Sequence, residues 1–243
     1  MNCVENILRC CLFCLSLFVL ILVPGISPCQ AGVIIGFGDS LTEGCDVQTG
    51  GDCGWVGGTG YTGELELLLT SNGYNYNVYN FGRGGETTTE GVNRIDTVLD
   101  EACNQGAKYI LILEGTNDLL HGASGLDVKF NLGIMIDKSR AKGVEPLLAT
   151  ITPDPNPEHA YKNIPLMNTY IRALAAKQDV VLVDLYAAMY PYWDTYTNPR
   201  ACYNDLLHPN PTGFDAMAAV WYATLAELLP RPLTWLHLLL KTP

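Results

Sequence analysis

Five short runs rich in Val, Ile, Leu and aromatic residues recur along the chain: 33–37 (VIIGF), 76–81 (YNVYNF), 109–113 (YILIL), 146–150 (PLLAT) and 180–185 (VVLVDL). Most are apolar at consecutive positions rather than at alternate ones. That pattern predicts strands buried on both faces, as in a parallel sheet. Between them lie stretches with helical spacing, predicting helices at about 61–71, 90–105, 126–142, 163–177 and 212–229. In the second, Ile95, Val98, Leu99 and Ala102 follow the i, i+3, i+4, i+7 rule and form one buried stripe. Strand and helix alternating in this way predict a doubly wound, three-layer α/β/α sandwich with a five-stranded parallel sheet and right-handed crossovers.

The first 31 residues are of a different kind. Arg9 precedes an apolar run from Cys10 to Val23, followed by Pro24, Gly25 and Pro28. This is the pattern of a secretory signal, with cleavage expected after Ala31. The run is shorter than the roughly 20 residues a membrane-spanning helix needs, so no stable span is expected. Ile26-Ser27-Pro28-Cys29 also resembles a lipoprotein box, which offers lipidation of Cys29 as an alternative to simple secretion or periplasmic release. From residue 32 to residue 243 no internal linker or repeat appears, and a single domain is expected. The tail from 233 to 243 is apolar but short.

The net charge of −11 and the lack of Lys/Arg clusters argue against nucleic-acid or anionic-lipid partners. Of nine cysteines, Cys45, Cys53, Cys103 and Cys202 lie beyond the leader, in a compartment that permits disulfides. Four cysteines allow three full pairings. The helix at 90–105 should run away from the loops that follow the strands by roughly 22 Å, at 1.5 Å per residue. Cys103 then lies too far from the others for a bridge, which needs Cα atoms within about 7 Å. The expected disulfide is Cys45–Cys53, with Cys202 left as a thiol.

In an open parallel sheet the functional loops follow the carboxyl ends of the strands. Ser40 follows the first strand, and glycines 82, 84 and 85 follow the second. Glu114-Gly115-Thr116-Asn117-Asp118 follows the third. Asn-Asp-Leu-Leu-His occurs twice, at 117–121 and at 204–208, so two Asp/His pairs compete for one task. The chain resembles the SGNH, or GDSL, hydrolases in four ordered blocks: Gly38-Asp39-Ser40-Leu41, the turn Gly82–Gly85, Gly115-Thr116-Asn117-Asp118, and Asp205-Leu206-Leu207-His208-Pro209. The resemblance implies a flavodoxin-like sandwich and a serine esterase or lipase.

It further implies a catalytic set of Ser40, Asp205 and His208, with an oxyanion hole made by the Ser40 N–H, the Gly85 N–H and the Asn117 side chain. Gly84 is the alternative to Gly85. Asp118 is then expected to tie down its own loop, and His121 to have no required role. The implied chemistry is acyl transfer to serine and then to water, with no cofactor or metal. The four histidines are dispersed, and no His-Glu-x-x-His motif occurs. Gly58-Thr59-Gly60-Tyr61-Thr62-Gly63 matches a dinucleotide fingerprint literally, but no strand leads into it. The expected substrates are lipid-like or short-chain acyl esters such as lysophospholipids, with acetylated carbohydrate as the alternative. A ligand-binding relative without catalysis is the remaining rival, and a complete Ser/His/Asp set argues against it.

Overall fold

A computed structural model describes residues 31–44, 60–104, 106–154, 163–193 and 207–232, the side chains at 102–104 and 191–193 excepted. Apart from Ala31, all of them lie in the unit Gly32–Pro243. Five strands, β1 (Gly32–Gly38), β2 (Tyr76–Gly82), β3 (Ala107–Leu113), β4 (Glu145–Ala149) and β5 (Val181–Val183), form one sheet in the order β2-β1-β3-β4-β5. Every pairing is parallel. The helices are α1 (Ser40–Glu43), α2 (Tyr61–Ser71), α3 (Thr88–Asn104), α4 (Thr116–Leu120), α5 (Gly125–Ala141), α6 (Ile164–Gln178), α7 (Leu185–Trp193) and α8 (Pro211–Leu228).

The apolar strands serve two cores at once, because successive side chains point to opposite faces. Val33, Ile35, Phe37, Ile110 and Ile112 pack with Ile95, Leu99, Leu132, Ile136 and Ile171 from α3, α5 and α6. Ile34, Leu111, Leu113 and Leu147 face the other way, towards Leu65, Leu69, Met189, Trp221 and Leu225 from α2, α7 and α8. This is the three-layer sandwich the pattern predicts. The stripe on α3 is buried at Ile95, Val98 and Leu99.

Three short helices, α1, α4 and α7, were not legible as helices, and β5 is shorter than its apolar run. The chain leaves β5 at Asp184, whose carboxylate accepts from the Ala187 N–H and caps α7. Arg172 and Thr150 also donate to Asp184. Burial works against the charge, but these hydrogen bonds hold the carboxyl below its ordinary range.

The register brings the functional loops to one line. Gly38 pairs with Gly82 on one side and with Leu113 on the other. The loops after β1, β2 and β3 therefore leave adjacent strands at one level, about 4.8 Å apart. The Arg83 N–H donates to the Gly38 carbonyl at 2.8 Å and binds the first two loops together. Gly38 and Gly82 are needed for close approach, not for a sharp turn. A Cβ on Gly82 would stand 2.0 Å from the Glu43 nitrogen, and one on Gly38 would stand 2.3 Å from the Leu113 carbonyl.

Candidate active site

Ser40 opens α1 immediately beyond β1. The helix is short, so its placement depends on its surroundings. Asp39 caps it, accepting from the Leu41 N–H at 2.9 Å. The Asn80 amide on β2 donates to the carbonyls of Thr42 and Glu43 at 2.8 and 3.3 Å and to the Thr62 hydroxyl at 3.0 Å. The nucleophile candidate thus stands on a backbone pinned from the neighbouring strand.

His208 comes from the other end of the chain. Two residues later Asn210 caps α8, its side chain accepting from the Gly213 N–H at 3.0 Å, with Pro211 in the first turn. Inside the fold, Trp221 of α8 stacks on Tyr61 of α2 at 5.8 Å, and the Tyr61 hydroxyl lies 3.4 Å from the Thr42 hydroxyl on α1. A continuous packed path therefore joins the helix behind the histidine to the helix carrying the serine. At the surface, His208 Nε2 lies 3.0 Å from Ser40 Oγ. At that distance the hydroxyl can donate to Nε2 when the imidazole proton is on Nδ1. Both residues are half-buried. Asp205, the expected orienting acid, lies outside the described residues, as do Cys45, Cys53 and Cys202. Cys103 falls near the end of α3.

The other loops supply donors. Gly85 has φ +76°, a conformation glycine adopts without strain. The neighbouring Gly84 N–H is engaged by the Glu43 carboxylate. Asn117 Nδ2 donates to the Glu86 carbonyl at 2.9 Å and lies 3.5 Å from Asp39 Oδ2. Asp118 does more than secure its own loop. Its carboxylate accepts from the Thr88 N–H at 2.7 Å and the Thr88 hydroxyl at 2.6 Å, anchoring the start of α3. His121 is exposed and ends α4.

Sequence reasoning missed a set of buried acids behind this edge. Asp39, Glu86, Glu114 and Asp118 are each no more than 4% exposed. Burial, reinforced by the charges of Glu86 and Asp118 and opposed by the Leu41 N–H, raises the Asp39 carboxyl to about 7. One signal was available: Glu114 directly continues the apolar run of a central strand, where a carboxyl has no route to water.

Comparison with known proteins gives the same class. The family model of GDSL-like lipases and acylhydrolases matches residues 37–216. Esterase TesA of Pseudomonas aeruginosa is 29% identical over 156 residues, covering 64% of this chain and 71% of that one. The uncharacterized lipoprotein YqeF of Bacillus subtilis is 34% identical over 95 residues, 37% of this chain and 38% of its own. The crystal structure of TesA aligns with a TM-score of 0.64 and 26% identity, covering 81% of this chain and 99% of that chain. The chain belongs to the GDSL-like lipase/acylhydrolase family. It is a carboxylic ester hydrolase of that type.

Proposed function

We propose that the chain hydrolyses carboxylic esters through an acyl-enzyme on Ser40, with His208 as the general base and acid and Asp205 as its orienting carboxylate. The 3.0 Å approach of His208 Nε2 to Ser40 Oγ is the observation that carries this reading. As Ser40 attacks the ester carbonyl, His208 takes its proton and then delivers it to the leaving alcohol. Water repeats the sequence to release the acid. Asp205 keeps the imidazole proton on Nδ1 and stabilises the imidazolium.

The oxyanion is received by the N–H groups of Ser40 and Gly85 and by Asn117 Nδ2. Engagement of the Gly84 N–H by Glu43 supports Gly85 as the loop donor. The bond from Asn117 to the Glu86 carbonyl at 2.9 Å uses one amide hydrogen, and the other makes only a long contact of 3.5 Å with Asp39 Oδ2, which a developing oxyanion would replace. Substrates are lipid-like or short-chain acyl esters, lysophospholipids among them. The leader at 1–31 underlies a proposal of export, either by cleavage after Ala31 or by lipid attachment at Cys29.

The test is hydrolysis of p-nitrophenyl acetate in the presence of EDTA, with Ser40→Ala and His208→Ala as controls. A fluorophosphonate should add its mass to the peptide holding Ser40 and to no other. Each variant should lose at least about 10⁴-fold in kcat, since serine and histidine act as a unit. Activity surviving in Ser40→Ala would refute the mechanism. A series of acyl-chain lengths run beside acetylated xylan and a lysophospholipid then separates the substrate classes.

A further inference from the structure

Four carboxyl groups meet behind the nucleophile, and they cannot all be anions. Asp39 comes from the end of β1, Glu86 from the loop after β2, Glu114 from the end of β3 and Asp118 from α4. Three of them have donors. The Leu41 N–H serves Asp39, Thr88 serves Asp118, and Arg94 grips Glu86 with two bonds of 2.5 and 2.6 Å. Glu114 is different: neither of its oxygens is reached by a donor or by solvent among the described residues. The cations beside the group, Arg94 and the more distant Arg83, both face Glu86.

An ionised carboxyl without donors, surrounded by three other acids, carries a desolvation cost with no compensation. Because both cations are taken up at Glu86, a proton is what neutralises Glu114. Burial first, then the charges of Asp39, Glu86 and Asp118, push the Glu114 carboxyl well above its ordinary range. The Glu86 side chain lies within hydrogen-bond reach of Glu114. With both Glu86 oxygens accepting from Arg94 and no donor reaching Glu114, that contact takes its proton from Glu114, whose O–H donates to the Glu86 side chain.

We infer that Glu114 is a positioning residue that works as a neutral acid, donating to Glu86 and so fixing the loop whose carbonyl orients the Asn117 amide. Glu114 and Asn117 lie three residues apart on one segment. They grip Glu86 at two points, Glu114 at its side chain and Asn117 at its backbone carbonyl. Ionisation of Glu114 would set two carboxylates against each other and release one of the two points.

This inference rests on the oxyanion role proposed for Asn117, so its test includes readouts that do not depend on turnover. Glu114→Gln keeps a donor and cannot ionise; Glu114→Leu removes the donor. Infrared difference spectra at pH 7, native chain minus Glu114→Gln, should show a protonated-carboxyl C=O band over and above the contribution of Asp39. The Asn117 side-chain amide signals should match between the native chain and Glu114→Gln in nitrogen-edited NMR, and broaden or shift in Glu114→Leu. With p-nitrophenyl acetate, Glu114→Gln should keep kcat within about threefold at pH 7 and hold it to higher pH than the native chain does. Glu114→Leu should lose tenfold or more in kcat with KM within twofold.

Absence of the band, or a Gln variant as damaged as the Leu variant in both kcat and amide spectrum, would overturn the inference. If Glu114→Leu does not fold, the Gln variant alone decides through its band and its pH profile. A native chain with no esterase activity would defeat the functional reading, while the band and the amide signals would still judge Glu114.

Discussion

The Asn117 amide has two N–H bonds and, under the proposed mechanism, two tasks. One holds the Glu86 carbonyl, and the other meets negative charge as it develops on the substrate. Replacement by alanine removes both, so Asn117→Ala should lower kcat by roughly 10²–10³-fold, the usual effect of deleting one oxyanion donor. KM should change little, because the interaction strengthens only in the transition state. Steady-state kinetics on p-nitrophenyl acetate check this, and a loss confined to KM would reassign Asn117 to substrate binding. This scale was also the one least legible in the sequence. Ser40, Asn117 and His208 stood out because their residue types and order matched a known set of blocks. Glu86 and Glu114 did not, because whether an acid is buried depends on neighbours from other strands. Asp118 reads locally as a loop residue, yet its carboxylate serves Thr88, 30 positions earlier.

At the level of elements, placement of the serine depends on contact between two pieces of backbone. α1 lies so close to the end of β2 that only glycine fits at position 82. A methyl group there would stand 2.0 Å from the Glu43 nitrogen and 2.5 Å from the Glu43 Cα. Neither atom is a flexible side-chain tip that could swing aside, so Gly82→Ala must displace α1 and the serine it carries. Overpacking of this kind costs about 1–3 kcal/mol. A shift of about 1 Å in a reacting group can cost on the order of 10² in rate. Thermal unfolding and kcat measured together test the point, and an unchanged kcat would show that α1 has slack. The major strands and helices were legible because each carries several apolar positions in a regular period. α1, α4 and α7 were not, since four to nine residues hold too few turns to show one. Their limits are set by capping contacts such as Asp39 to Leu41 and Asp184 to Ala187.

For the whole molecule, the acids behind the site link folding to pH. In an unfolded chain Asp39 would ionise near 3.8, whereas in the fold burial holds its proton to about 7. Between those values the folded state binds more protons than the unfolded state, so stability falls as pH rises. The stabilising proton is fully in place below about pH 4 and has been lost once pH passes about 7. Asn at position 39 can still accept from the Leu41 N–H but cannot ionise, so Asp39→Asn should lack this part of the fall. The melting temperature of the variant relative to the native chain should therefore climb between about pH 4.5 and pH 8. The difference corresponds to a free energy on the order of 2–4 kcal/mol at the upper end. Glu114 acts in the same direction, so the single variant should flatten the native curve without levelling it. The double variant with Glu114→Gln should flatten it further, by less than the sum of the two, because each charge removed makes the remaining acids easier to ionise. Melting curves that ran parallel across this range would mean that Asp39 ionises alike in the folded and unfolded chains. Asp39 would then carry no proton that folding depends on.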